Sequence, residues 1–420
     1  MKKRDRRSQS LRVSESQSQK RNFFEMLKRI LLAIIILVGL GLADWIISRA
    51  LGPDSYYLQI VIEVGIAIIL AVSLNLINGF TGQFSLGHAG FAAVGAYASA
   101  AITFYFGAKL VDMVAGLGVG PAVAKPLVFI GVLMVAGIAA AIAGLLVGLP
   151  TLRLRGDYLA IATLGFSEII RLIINNRPEI GGAAGFTPLV ALPKFVSFFW
   201  VYLFVIITIV VSANLLRSVH GRALLSIRED ELASQVMGVP ITYYKVMAFV
   251  LGAVFAGFAG CLTAHQNLAL HPNDFDLIAS VMIVVMVVLG GMGSITGCAL
   301  AAVLLTLLSY ALRSTEGLIG GCLLIGLAII SLALAGRRMR SYQKSILSAA
   351  LLMGIYLLLK ASQLLLEQRL AELRMLLFSF LLIMLMLTRP QGLFGAREFS
   401  LARLLEYLRP LLRRQTHGPA

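Results

Sequence analysis

Apolar residues run through this chain in windows of about 14 to 23 positions, and short polar segments separate them. The windows fall near residues 30 to 48, 57 to 78, 84 to 106, 127 to 149, 158 to 174, 196 to 215, 246 to 266, 277 to 291, 295 to 312, 317 to 335, 346 to 361 and 375 to 388. A helix crosses a bilayer with roughly 20 predominantly apolar residues. A barrel strand would instead alternate over about ten, and no such alternation is present. Backbone amides in hydrocarbon must be satisfied within the spanning structure itself. The pattern therefore predicts an all-α, polytopic transmembrane helical bundle of about 10–12 spans. The count stays open chiefly at 277 to 312, where LGGMGSITG (289 to 297) reads either as a sharp turn at depth or as a tight helix contact.

Composition excludes a soluble chain: 59% of residues are hydrophobic and 13% charged, against about 25% charged in soluble domains. The net charge of +16 would suit nucleic acid, but the basic residues lie between apolar windows and form no face interleaved with aromatics. No nucleic-acid partner is expected; membrane lipid is. With the amino terminus cytoplasmic, residues 1–29, 150–157, 216–245, 336–344 and 389–420 hold 26 Lys and Arg, and the opposite side holds nine. Lys and Arg accumulate in cytoplasmic loops, so both termini are expected in the cytoplasm of a multi-pass protein. Residues 1–29 read as a disordered basic tail before an uncleaved first span, since no small-residue cleavage site follows. Residues 389–420 read as a second basic tail. Cys261, Cys298 and Cys322 sit in apolar stretches without metal-ligand spacing, which makes them packing residues; no cofactor or metal is expected.

Three segments do not suit plain spans. In LRLRGDYLAIATLGFSEIIRLIINN (152 to 176), Glu168 and Arg171 are helical neighbours, Thr163, Ser167 and Arg171 recur every four residues, and Asn175 follows on the same side. Charge at mid-bilayer costs about 2.5 to 3.5 kcal/mol on insertion scales, so this face either lines the bundle interior or forms an ion pair that snorkels at the outer interface. Glu63 reads as a snorkelling residue. Gly252, Ala256, Gly260 and Ala264 form a small-residue ridge for close helix packing.

The stretch SLNLINGFTGQFSLGHAGFAAVGAYASA (73 to 100) carries Asn75, Asn78, Thr81, Gln83, Ser85 and His88, with glycines at 79, 82, 87, 90 and 95. Glycine costs about 1 kcal/mol relative to alanine inside a helix. Two readings fit. One is a cytoplasmic turn between spans. The other is a broken helix near 79–88, whose irregular backbone is tolerated at membrane depth only inside protein or along a watery cavity. His88 alone reads as hydrogen-bonded structure. The long segment LRSVHGRALLSIREDELASQVMGVPITYYKV (216 to 246) predicts a cytoplasmic amphipathic helix from Arg222 to Met237, stopped by Gly238 and Pro240. It serves either as a dock for a soluble partner or as a solvated connection.

Five blocks in order carry a resemblance: LNLINGFTGQFSLGHAGFAAVGAYA, LRLRGDYLAIATLGFSEIIRLIINN, GRALLSIREDELASQVMGV with its VMAFVLGAVFAGFAG continuation, VVLGGMGS, and RPQGLFG. Over residues 57–312 and 372–395 the chain resembles LivM-type permease subunits of branched-chain amino-acid ABC importers. The resemblance implies a permease of the bacterial inner membrane that translocates leucine, isoleucine and valine by alternating access. Its implied partners are a second homologous permease, two cytoplasmic ATPase subunits and an extracytoplasmic substrate-binding protein. It also favours the broken-helix reading of 73–100, with Asn75, Asn78, Thr81, Gln83, Ser85, His88, Thr163, Ser167, Glu168 and Arg171 as candidate pathway residues.

The 216–245 segment is similar to the coupling motif Glu-Ala-Ala-x-x-x-Gly, with Leu232 where the motif has its acid, then Ala233, Ser234 and Gly238. Its candidate coupling residues are Arg222, Arg228, Glu229, Asp230, Glu231, Ala233 and Gly238. Residues 317–371 add a helical hairpin that the family pattern lacks. No Gly-x-x-x-x-Gly-Lys-Ser/Thr phosphate loop occurs, so hydrolysis falls to separate subunits and the chain itself is expected to be no enzyme. Other amino acids, or urea and short amides, are alternative substrates. A secondary transporter or channel would need an ion path, for which the spans offer only Glu168 with Arg171, and Glu63. No metal-protease helix, aspartate pair or Ser/His arrangement supports an intramembrane enzyme.

Overall fold

A computed structural model describes residues 35, 37–50, 52, 55–116, 120–151, 154, 156–187 and 196–313. The tails at 1–29 and 389–420, the extra hairpin at 317–371 and the last three apolar windows lie outside the described residues. Helix α1 covers residues 37–50. It is followed by α2 (Tyr56–Asn78), α3 (His88–Gly116), α4 (Pro121–Thr151), α5 (Asp157–Asn175), α6 (Phe198–Arg217), α7 (Val219–Glu229), α8 (Glu231–Val236), α9 (Ile241–Asn267), α10 (Leu277–Gly290) and α11 (Ile295–Arg313). The described chain is thus an all-α bundle, and its strand-like pairing is the bridge between Phe186 and Leu270.

Among the described residues, six helices are long and apolar enough to cross a membrane: Tyr56–Asn78, His88–Gly116, Val123–Thr151, Phe198–Arg217, Ile241–Asn267 and Pro272–Gly290. The last of these joins a short 3-10 turn, Pro272–Phe275, to α10. Ile295–Tyr310 is a shorter apolar helix. The expected window at 158–174 is also helical, as the 19-residue α5.

Helix α9 is the centre of the bundle, packed on α2, α3 and α4. The small-residue ridge makes this possible. A side chain at Gly252 would strike Ile77 of α2, one at Gly257 would strike Ala140 and Ala136 of α4, and one at Gly260 would run into the Ala92 carbonyl of α3. Ala256 and Ala264 are fully buried. With no bulk between them the backbones approach closely, and dispersion contacts accumulate where lipid provides no hydrophobic driving force. Aromatic edges close the outer seams: Phe129 of α4 meets Trp200, and Phe204 of α6 meets Phe258 of α9. The opposite side of α4 stays bare, with Leu127, Ile138, Ile142 and Leu146 exposed, as a lipid-facing surface would be.

The connections divide between two ends. One end gathers the α2–α3 break, the α6–α9 connection and the α10–α11 turn, linked by Arg228 to Gly79 and by Gly293 to Asn75. The other end joins residues 176–187 to 268–276. There Phe186 and Leu270 exchange backbone hydrogen bonds of 2.7 and 3.0 Å, and Tyr105 donates to the Glu179 carbonyl at 2.7 Å.

Candidate functional site

The sequence 78 to 88 folds as a break, and its side chains show why. Helix α2 ends at Asn78 and α3 starts at His88, with Gly82 in the left-handed region at φ +70°. Asn78 replaces the missing ladder partner: its Oδ1 accepts from Ser85 N at 3.1 Å and its Nδ2 donates to Ser85 O at 3.3 Å. Gln83 N and the Thr81 hydroxyl both bond the Ile77 carbonyl, one of the carbonyls a helix end leaves open. Gly82 and Phe84 are exposed while Gln83 and Ser85 are buried, the two-residue period of extended backbone.

This stretch runs back into the bundle before α3 begins. His88 Nε2 lies 2.7 Å from Ser73 Oγ, six residues up α2 from Gly79 and so about 9 Å in from the helix end at 1.5 Å per residue. Ser73 Oγ also lies 2.9 Å from the Leu70 carbonyl; both contacts are satisfied when Ser73 donates to that carbonyl and His88 donates to Ser73. Amides just before and within the first turn of α3 find side chains from elsewhere, Leu86 N on Thr163 Oγ1 at 3.1 Å and Ala89 N on Ser280 Oγ at 3.3 Å. The stretch has the buried irregular backbone of the broken-helix reading, and it lies at the end of the bundle that also carries the α6–α9 connection. Asn75 Nδ2, both amide atoms of Gln83, Ser85 Oγ and His88 Nδ1 are buried and have no hydrogen-bond partner among the described residues.

LGGMGSITG forms a sharp turn and a tight helix contact together. Gly291 and Gly293, at φ +100° and +89°, form a sharp turn, and Gly290 lies so close to Gly297 that a side chain at either would strike the other's backbone. The turn docks on the break, with Gly293 N donating to Asn75 Oδ1 at 2.9 Å.

The 216–245 segment corrects one expectation. In place of a single helix from Arg222 to Met237 there are two, α7 and α8, interrupted at Asp230. Asp230 takes φ −153° and caps α8, accepting from Ala233 N at 3.0 Å. Aspartate is a strong amino-terminal cap, and its competition with helical backbone wins here. Gly238 ends α8 at φ +83°, as expected. The segment is fastened inward by Arg228, whose Nη1 donates to Gly79 O at 2.8 Å, and by Lys245, which pairs with Glu231 at 2.9 Å with 9% of its side chain exposed. Its outer side presents Leu232, Val236 and Met237, 61%, 87% and 82% exposed. Arg222, Glu229 and Asp230 are exposed as well.

On α5, Thr163 and Ser167 are buried against α3: a side chain at Gly87 would meet Thr163, and one at Gly90 would meet Ser167. Glu168 and Arg171 form an ion pair of 2.8 Å at about a quarter exposure, and Arg171 also donates to Asn273 Oδ1 at 3.0 Å. The candidate pathway residues therefore fall into two places. Asn75, Asn78, Thr81, Gln83, Ser85, His88, Thr163 and Ser167 surround the break, whereas Glu168 and Arg171 lie toward the opposite end. Ser73, Lys245, Asn273 and Ser280 take part without having been singled out. Ser73 stood in the quoted polar stretch, and Lys245 was the lone cation closing the charged segment. Asn273 and Ser280 carried no local signal.

A family model for the permease component of the branched-chain amino acid transport system matches residues 56–387. The high-affinity branched-chain amino acid transport system permease proteins LivM of Salmonella typhimurium and Escherichia coli are each 38% identical over 275 residues, 57% of this chain and 60% of theirs. The chain thus spans less than two thirds of the length of these relatives. A protein of Methanocaldococcus jannaschii named probable branched-chain amino acid transport permease protein LivM is 30% identical over 293 residues, 62% of this chain and 84% of its own. No solved structure matches the chain. On the family match across residues 56–387, the chain belongs to the permease components of branched-chain amino acid transport systems.

Proposed function

We propose that this chain is the membrane-spanning subunit of an ATP-driven importer of leucine, isoleucine and valine in a bacterial cytoplasmic membrane. It pairs with a second homologous permease, takes substrate from an extracytoplasmic binding protein and receives the work of two separate ATPase subunits. The observation that carries this reading is the α7–α8 segment. It is anchored to the bundle by Arg228 and Lys245 while it turns Leu232, Val236 and Met237 outward. A solvated connector has no reason to expose three large apolar side chains beside an ion pair whose lysine is buried. A dock for a soluble protein needs both an apolar contact patch and rigid attachment to whatever it must move.

The polar interior of the break suits a zwitterionic cargo. Helix α3 begins inside the bundle, and its amino terminus bears partial positive charge that favours a carboxylate. Asn75, Gln83, Ser85 and His88 hold unsatisfied buried groups, which must meet water or substrate at some stage of a cycle. A secondary transporter is less well served, because Glu168 and Arg171 neutralise each other.

The test is reconstitution of this chain in proteoliposomes with its partner permease, ATPases and binding protein. Radiolabelled leucine uptake is expected only when all subunits and internal-face ATP are present. Uptake driven by an ion gradient without the ATPases would overturn the reading, and preferential uptake of urea or another amino acid would overturn the substrate.

A further inference from the structure

Arg228 points the wrong way for a docking residue. It belongs to the last turn of α7, yet its guanidinium reaches into the bundle to the Gly79 carbonyl at 2.8 Å. Three glycines from two other segments form its cradle. A side chain at Gly82 would lie 3.4 Å from Arg228 Cγ, one at Gly293 would press to 2.5 Å on Arg228 Nη1, and one at Gly79 would collide with Asn75 and Gly293 N. Gly82 and Gly293 both hold positive φ. The cradle thus combines the α2–α3 break with the α10–α11 turn, themselves joined by the Gly293–Asn75 bond.

The electrostatics are as specific as the shape. The carbonyl that Arg228 bonds belongs to Gly79, the cap at the carboxyl end of α2, and Arg228 itself lies in the last turn of α7. A helix carboxyl end carries roughly half a negative charge and favours a nearby cation. Glu229 and Asp230 beside it are exposed and supply no competing inward contact.

We infer that Arg228 is a positioning residue that ties the docking segment to the α2–α3 break and the α10–α11 turn, so that movement of α7 is delivered to both, and that it does not bind the ATPase. The inference rests on the importer reading above. It separates two jobs that the neighbouring residues of this segment perform: the outer apolar side chains hold the soluble subunit, and Arg228 transmits its displacement.

The experiment uses the reconstituted complex and three measurements, ATPase retention, basal ATP hydrolysis and ATP-driven leucine uptake. Arg228→Gln is expected to retain the ATPases and basal hydrolysis while uptake falls about 5- to 150-fold, the span of a typical coupling between sites. Arg228→Lys, which keeps a cation at the helix ends, is expected to recover part of it. Leu232→Asp on the outer side is expected to lose the ATPases. A second variant covers the case in which Arg228→Gln misfolds. The position of a side chain at Gly82 is 3.7 Å from Arg228 Cβ, within the span of a disulfide, so Gly82→Cys with Arg228→Cys can restore the tie covalently. In that double variant, oxidation is expected to raise uptake and reduction to lower it again. Loss of the ATPases from Arg228→Gln, undiminished uptake in it, failure of the disulfide to form, or a formed disulfide without effect on uptake would each overturn the inference. Absence of ATP-driven uptake in the unsubstituted complex would instead count against the importer reading.

Discussion

Asn78 offers the sharpest test of how the break is held. Its side-chain amide is 5% exposed and grips both backbone groups of Ser85, which is fully buried. Asn78→Ala removes both bonds and strands an N–H and a C=O. An unsatisfied buried polar group costs about 1–3 kcal/mol, so the pair would cost about 2–6. The space vacated by the amide admits a water that repays part of this, which places the expected loss near 2–3 kcal/mol. Ser85→Ala is the matched control. The clamp uses only the backbone of Ser85, and its hydroxyl has no partner among the described residues, so that variant is expected to match or slightly exceed the parent. Asn78→Asp keeps the acceptor but sets a carboxylate oxygen against the Ser85 carbonyl, and should be at least as unstable as the alanine variant. The assay is thermal unfolding of the full-length protein in detergent, run on all three variants in parallel. An Asn78→Ala midpoint equal to that of Ser85→Ala would refute the clamp.

Gly260→Val drives a side chain into the Ala92 carbonyl, and overpacking of about 1–3 kcal/mol or more should collapse the folded yield by size-exclusion chromatography; Gly165→Ala, with open space around it, should gain about 0.5–1 kcal/mol. Asp230→Ala removes the α8 cap and should cost about 0.5–2 kcal/mol, read as weakened ATPase pull-down with the bundle's thermal midpoint little changed. Glu231→Gln leaves the Lys245 ammonium buried without its carboxylate and should lower the midpoint by less than the roughly 3–5 kcal/mol of a fully buried pair, since Glu231 is 30% exposed; combining it with Lys245→Met should restore most of the loss.

What the sequence revealed was local. Apolar windows fixed the helices, the four-residue ridge from Gly252 to Ala264 announced the α9 packing, and glycines placed both sharp turns. Where reading failed, the deciding interaction was distant. Asp230 suits a helix interior poorly and a cap well, but the anchors that turn this segment back onto the bundle, Arg228 on Gly79 O and Lys245 on Glu231, lie outside any local window. The spacing of Thr163 and Ser167 announced one polar face of α5, but not that Gly87 and Gly90, at the start of α3, leave room for them, a match invisible within α5. Arg228 stood among the candidate coupling residues with nothing to mark it as turned inward. That turn depends on Gly79, Gly82 and Gly293 meeting it, and no window of sequence contains all of them.

Helix α9 has a mechanical consequence beyond packing. At 27 residues it is about 40 Å long, and Gly252, Gly257 and Gly260 set its backbone close against α2, α4 and α3. Such close approaches have no rotamers with which to absorb a displacement. Lys245 ties its first turns to the docking segment, and its far end leads through Leu268 into the Phe186–Leu270 bridge. A push at one end of the bundle therefore reaches the other along a helix whose glycine contacts cannot give way by changing rotamer.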